Sequence, residues 1–150
     1  MRKERKKRPG LSGPNGDAHF SLFTEKHFRA ALNLEEARSA RSGKPCLLML
    51  LGIAGFEQAE KDGFVSELTR TLFSVTRETD LKGWWHTDSQ IGILFTELDL
   101  LNPSSLNEAQ RLIKRKILAA LRARVGDVAT ELISISWSVF PKPFLAAREA

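Results

Sequence analysis

"RETDLKGWWHTDSQIGILFTEL", Arg77 to Leu98, decides how this chain is read. Leu81–Trp85 and Ile91–Glu97 are dominated by apolar and aromatic residues, and "HTDSQ" between them supplies turn formers. Bulky apolar side chains suit a pleated, half-buried surface, whereas Asp and Ser bond their own backbone in turns. The reading is therefore strand, turn, strand. The turn is not the tight Asn-Gly kind, yet its flanks pair as a hairpin. Trp84 and Trp85 are consecutive, so they point to opposite faces of the sheet.

Working upstream, "CLLMLLGI", Cys46 to Ile53, is a short apolar run between turn residues, which reads as a strand buried on both faces. A helix from about Glu57 to Arg77 follows, carrying Phe64, Val65, Leu68, Leu72, Phe73 and Val75. Before the first strand, Thr24 can cap a helix running to about Arg41, with Phe28, Ala31 and Leu32 on its apolar side. "SGKP" ends that helix, because Gly43 and Pro45 break it.

Downstream, "NPSSLNEAQ" starts another helix with Ser104 or Ser105 as cap, and Glu108 stands at capping-box distance from Ser105. Leu112, Ile113, Ile117, Ala120 and Leu121 are its apolar stripe, and "VGD" ends it. In "ELISISWSVF", Glu131 to Phe140, Leu132 and three serines alternate with Ile133, Ile135, Trp137 and Val139, the pattern of a strand with one buried face. The tail "LAAREA" reads as a helical stub. After the leading helix the order is strand, helix, strand, strand, helix, strand. This implies an α+β fold of ferredoxin-like or palm type (βαββαβ), with an antiparallel sheet, helices on one face and an extra N-terminal helix.

The 150 residues suffice for one domain with a sizeable core, and no apolar run approaches the roughly 20 residues that cross a bilayer. The basic start has no apolar signal core behind it, so secretion is not expected. A single cysteine, Cys46, excludes an internal disulfide and a multi-cysteine zinc site, so a reducing cytoplasm is the expected setting. The net charge is +5, and Arg2, Lys3, Arg5, Lys6, Lys7 and Arg8 against Glu4 account for all of it. Residues 1–18 read as a disordered basic arm, able at most to touch membrane or nucleic acid weakly, and residues 19–150 as the domain. No basic stripe with interleaved aromatics marks the folded part as a nucleic-acid module.

Four stretches resemble GGDEF domains, the diguanylate cyclases. "FRAALNLEEARSARSGKPCLLMLLGIAGF" resembles their opening helix and first strand, and "LTRTLFSVTRETD" their next helix with its Arg-x-x-Asp end. "IGILFTEL" resembles the strand after the signature turn, and "LISISWSVFP" the late strand. Together they cover Phe23 to Pro141 in the family's order and imply the cyclase and polymerase palm. "RETDLKGWWHTDSQIGILFTEL" is also similar to degenerate GGDEF-like proteins associated with bacterial sugar transferases of exopolysaccharide synthesis.

The chain departs from the family where chemistry is done. Active members hold two divalent ions through acids at the end of the first strand and in the signature turn, since magnesium needs hard oxygen ligands. Gly52 and Ala54 stand at the strand positions, and His86, Thr87, Asp88, Ser89 and Gln90 replace the Gly-Gly-Asp/Glu-Glu-Phe turn. The segment that reads guanine has no counterpart in "FEQAEKDGFV". The expectation is a degenerate domain with no catalytic residues, no metal site and no cofactor.

Arg77 and Asp80 match the family's inhibitory Arg-x-x-Asp site for cyclic di-GMP, where arginine grips phosphate and aspartate accepts from a guanine edge. Read without the family, they are an arginine beside a helix end and an aspartate in the next turn. His86, Asp88 and Ser89 are adjacent in a turn rather than arranged as nucleophile, base and orienter. His19, His27 and His86 lack ligand spacing. Trp84, Trp85 and Trp137 are candidates for a partner surface if one sheet face lies open. The expected function is regulation or scaffolding through a protein partner, with a homodimer or cyclic di-GMP among the candidates. The alternative from another class is a nucleotide-processing enzyme with a site rearranged around Asp88.

Overall fold

A computed structural model describes residues 21–96, 98 and 103–140. The basic arm and the tail stub lie outside these residues. The elements are α1 (Glu25–Ser42), β1 (Cys46–Gly52), α2 (Gln58–Val75), β2 (Leu81–His86), β3 (Gln90–Phe95), α3 (Pro103–Val125), α4 (Asp127–Glu131) and β4 (Ser134–Phe140). The strands form one sheet in the order β2-β3-β1-β4, with every neighbour antiparallel. This is the expected βαββαβ arrangement.

The pleat sorts the side chains of β1. Leu47, Met49 and Leu51 join Ile91, Ile93 and Phe95 of β3 in a core closed by Leu68 and Leu72 of α2 and Ile117 and Leu121 of α3. Cys46 and Leu48 face the other way, into a smaller core with Leu94, Phe28 and Leu32, so α1 covers the second face. β1 is thus buried on both sides, as its unbroken apolar run requires. Each such leucine or isoleucine contributes about 1.5–3 kcal/mol by leaving water.

α1 begins where expected: the Thr24 hydroxyl accepts from the His27 N–H at 3.2 Å. Gly43, at φ 80°, closes it by donating to the Ser39 carbonyl. Its Phe28 ring sits on a seat made by two glycines. Gly83 and Gly92 are directly paired across β2 and β3, and a Cβ on either would come within 2.8 Å of that ring. Phe23 donates to the Lys82 carbonyl and accepts from the Trp84 N–H, covering part of the free edge of β2.

The structure revises several boundaries. α2 stops at Val75, and Thr76 caps it before Arg77. Pro103 starts α3, so Ser104 and Ser105 lie inside its first turn; proline suits the first helical position, whose N–H has no partner within the helix. Leu112 is not part of the apolar stripe: it is 48% exposed, because five residues separate it from Ile117 and carry it around the helix. Residues 127–131 form the short helix α4, so β4 starts at Ser134 rather than Glu131.

Candidate functional site

The antiparallel register brings the end of β1 to the β2–β3 turn. Gly52 pairs with Gln90, and the Ile53 N–H donates to the Ser89 carbonyl at 2.8 Å. The turn closes through the Ser89 N–H on the His86 carbonyl, with Asp88 at φ 66°. Among non-glycine residues, aspartate tolerates that left-handed conformation comparatively well. The Lys61 amine reaches over from α2 to the Asp88 carbonyl at 3.2 Å. Strand end and turn therefore meet as a two-metal site requires.

The residues at this meeting do not fit metal ions. Gly52 and Ala54 have no ligating side chain, and Asp88 is the one carboxylate in the turn. A Cβ on Gly52 would overlap the Ser134 hydroxyl of β4, which fills the space an acid would need. Where a base-reading segment would lie, Phe56 stacks on Phe64 with ring centroids 4.0 Å apart, and both are buried. The short loop thus folds straight onto α2.

From its other side the turn is held by α1. Thr87 donates its hydroxyl to Glu25 at 2.8 Å, and His86 Nδ1 lies 3.7 Å from the same carboxylate. The Thr87 hydrogen bond, more than His86, holds the Glu25 carboxyl below its ordinary range. One step away the β2 register shifts between Trp84 and His86, leaving Trp85 on a bulge. Arg29 caps it, with its guanidinium 3.8 Å above the indole and Nη2 donating to the Trp85 carbonyl at 2.7 Å.

Arg77 and Asp80 sit at the opposite end of the hairpin, bonded to each other. Asp80 is 3% exposed and accepts from the Arg77 backbone N–H at 2.9 Å and from Nη2 at 2.8 Å. Arg77 Nη2 also donates to the Thr96 carbonyl of the neighbouring chain segment at 2.9 Å. Below them Lys82, 5% exposed, donates to the Asp80 carbonyl at 2.6 Å, the Thr76 hydroxyl at 2.9 Å and the Arg77 carbonyl at 3.2 Å. Burial lowers the pKa of its amine, and Asp80 partly offsets this. Beside this latch, a groove of about 330 Å³ runs between α2 and α3, lined by Val75, Phe95, Leu98 and Ile113 with Arg77 and Lys116.

The three tryptophans do not share a surface. Trp84 and Trp137 pack against the α2–α3 core, whereas Trp85 lies in the α1 core against Phe28. Trp84 lines an open hollow of about 290 Å³ with Asp62, Thr69 and Arg70. An open tryptophan-bearing sheet face is absent among the described residues because α1 covers the far side. Sequence reading missed Ser134, Thr96 and Lys82. For Lys82 a signal existed: two residues from Trp84 on a strand, it shares that residue's face.

No family model matches the chain, and no curated protein matches it. Solved structures do. A diguanylate cyclase (DGC) protein from Thermotoga maritima is 15% identical, with 87% of this chain and 91% of that chain covered and a TM-score of 0.66. The diguanylate cyclase SiaD from Pseudomonas aeruginosa, solved in complex with its activator SiaC, is 24% identical with a TM-score of 0.58. That likeness covers 79% of this chain, which spans 46% of the SiaD chain. At these identities the likeness carries the fold: a diguanylate cyclase-like palm.

Proposed function

We propose that this chain is a catalytically inactive GGDEF-like domain that works by binding, as a regulatory or scaffolding unit in the bacterial cytoplasm. The observation that carries the reading is the meeting of β1 with the β2–β3 turn. Backbone geometry is kept there, while Gly52, Ala54 and the Ser134 hydroxyl stand where ligands would have to be. A two-metal mechanism needs carboxylates to hold magnesium against the phosphate charge, and no residue pair at the turn supplies them. A protein partner is supported by SiaD, which was solved with its activator. A role in exopolysaccharide synthesis rests on the sequence resemblance. Incubation with GTP and magnesium is expected to yield no cyclic di-GMP. Turnover abolished by Asp88→Ala would replace this reading with the rearranged-enzyme one.

A second reading, a cyclic di-GMP receptor, is favoured by the cationic rim that Arg77 and Lys116 give to the α2–α3 groove. Its cost is visible: Arg77 must loosen its fork on Asp80 to grip a phosphate. Calorimetric titration with cyclic di-GMP distinguishes the two. Heat lost on Arg77→Ala would make the chain a receptor; no heat leaves the protein-binding reading.

A further inference from the structure

The outer face of α3 is the most strongly charged surface of the described residues. The helix carries Arg111, Lys114, Arg115, Lys116, Arg122 and Arg124 against Glu108 alone. Its buried side is set by Leu106, Ile117 and Leu121, which leaves these cations exposed. Arg111, Arg115 and Arg122 follow one line at helical spacing over about 16 Å, with Lys114 on one flank and Lys116 on the other. Of these six cations, Arg124 is matched at close range by Glu67. Arg111 meets Glu108, and Arg122 lies 3.9 Å from Asp127. Lys114, Arg115 and Lys116 have no ion pair among the described residues. Since the chain outside the arm is formally neutral, this face holds an excess that the rest of the domain balances with carboxylates.

We propose that α3 docks the protein on an anionic phospholipid surface. Two observations favour a bilayer over a nucleic acid. α3 contains no aromatic side chain on which a base could stack. Leu112, 48% exposed, and the exposed Ala119 and Ala123 stand among the cations, where they can meet the headgroup boundary but gain nothing from a phosphate chain. Near such a surface each Lys or Arg contributes about 1 kcal/mol, and the attraction fades within a Debye length. The basic arm at residues 1–9 adds the same charge.

Co-sedimentation of the full chain with phosphatidylcholine vesicles, with and without phosphatidylserine, tests this. Binding is expected with phosphatidylserine alone and should fall with salt. Lys114→Ala with Arg115→Ala should weaken it about thirtyfold, two cations' worth, and leave thermal unfolding unchanged. Deleting residues 1–9 should weaken it without removing the effect of that pair. Failure to bind phosphatidylserine vesicles overturns the proposal. So does a double variant that binds as tightly as the parent, or a chain that binds duplex DNA and not vesicles. The inference does not rest on the inactive-domain reading, which GTP turnover tests separately.

Discussion

At one end of the β2–β3 hairpin, charged groups are buried and bonded to one another; at the other, they stand in water. The Arg77 end encloses Asp80 and Lys82; Lys82 donates to the Thr76 hydroxyl and the Asp80 carbonyl, and Arg77 to the Thr96 carbonyl. The turn end exposes Thr87 and Asp88 and is tied by Thr87 and His86 to Glu25, by the Lys61 amine to the Asp88 carbonyl and by a backbone bond from Ile53. The difference teaches that the hairpin is held by its latch and its glycine seat.

Four measurements would break or sharpen that contrast. Asp80→Ala should cost about 3 kcal/mol of unfolding free energy, because the Arg77 backbone N–H and guanidinium would lose a buried charged acceptor and the buried Lys82 amine a neighbouring negative charge. Asp88→Ala should cost at most about 1 kcal/mol, since alanine tolerates φ 66° less well than aspartate. Equal losses in denaturant titration would erase the distinction between the two ends.

Cys46, on the first residue of β1 at the latch end, offers a pH test. Burial, reinforced by Glu35 and Glu36, pushes its thiol from an ordinary 9.0 up to about 11. Between those values the unfolded chain loses the proton and the folded one keeps it. Stability is therefore full below pH 9 and declines as the pH rises toward 11. The decline should reach about 2–3 kcal/mol, at 1.4 kcal/mol per unit. Cys46→Ala should remove this part of the alkaline loss, and the native thiol should resist alkylation at neutral pH. Identical alkaline profiles for parent and variant would refute the burial argument.

In the middle of the hairpin, Gly92→Ala should cost about 2 kcal/mol by pushing the Phe28 ring off its seat. An unchanged melting curve would mean that α1 is not held there. The smallest effect belongs to the turn: Asp88→Gly should stabilise by up to about 1 kcal/mol, since glycine adopts φ 66° without strain. A loss would show that the Asp88 side chain does more for the turn than its conformation costs.

Much of this architecture is legible in the chain. The run Cys46–Ile53 marks a strand covered twice, the alternation after Leu132 marks a strand with one buried face, and Thr24 and Gly43 bracket a helix. Each signal is local: periodicity, a capping hydroxyl, a residue without a Cβ. That Gly52 and Ala54 offer no ligating side chain is equally plain in the sequence. The misplacements have separate local causes: Pro103 takes the first helical position ahead of Ser104, Leu112 is turned off the stripe by its spacing, and residues 127–131 fold as a helix before β4.

What no local pattern contains is which groups meet across the sheet. Gly83 and Gly92 look like two unrelated weak points until the antiparallel register sets them opposite each other under Phe28. Trp84 and Trp85 are neighbours in the chain, yet the sheet sends Trp84 with Trp137 to the α2–α3 core and Trp85 to the α1 core. The turn after α2 sets the Arg77 guanidinium on the Asp80 carboxylate and the Thr96 carbonyl. The sequence determined the elements, their order and the missing acids, because these follow from each residue and its near neighbours. Tertiary structure alone decided the glycine seat and the Arg77–Thr96 tie of the latch, because both depend on contacts between residues far apart in the chain.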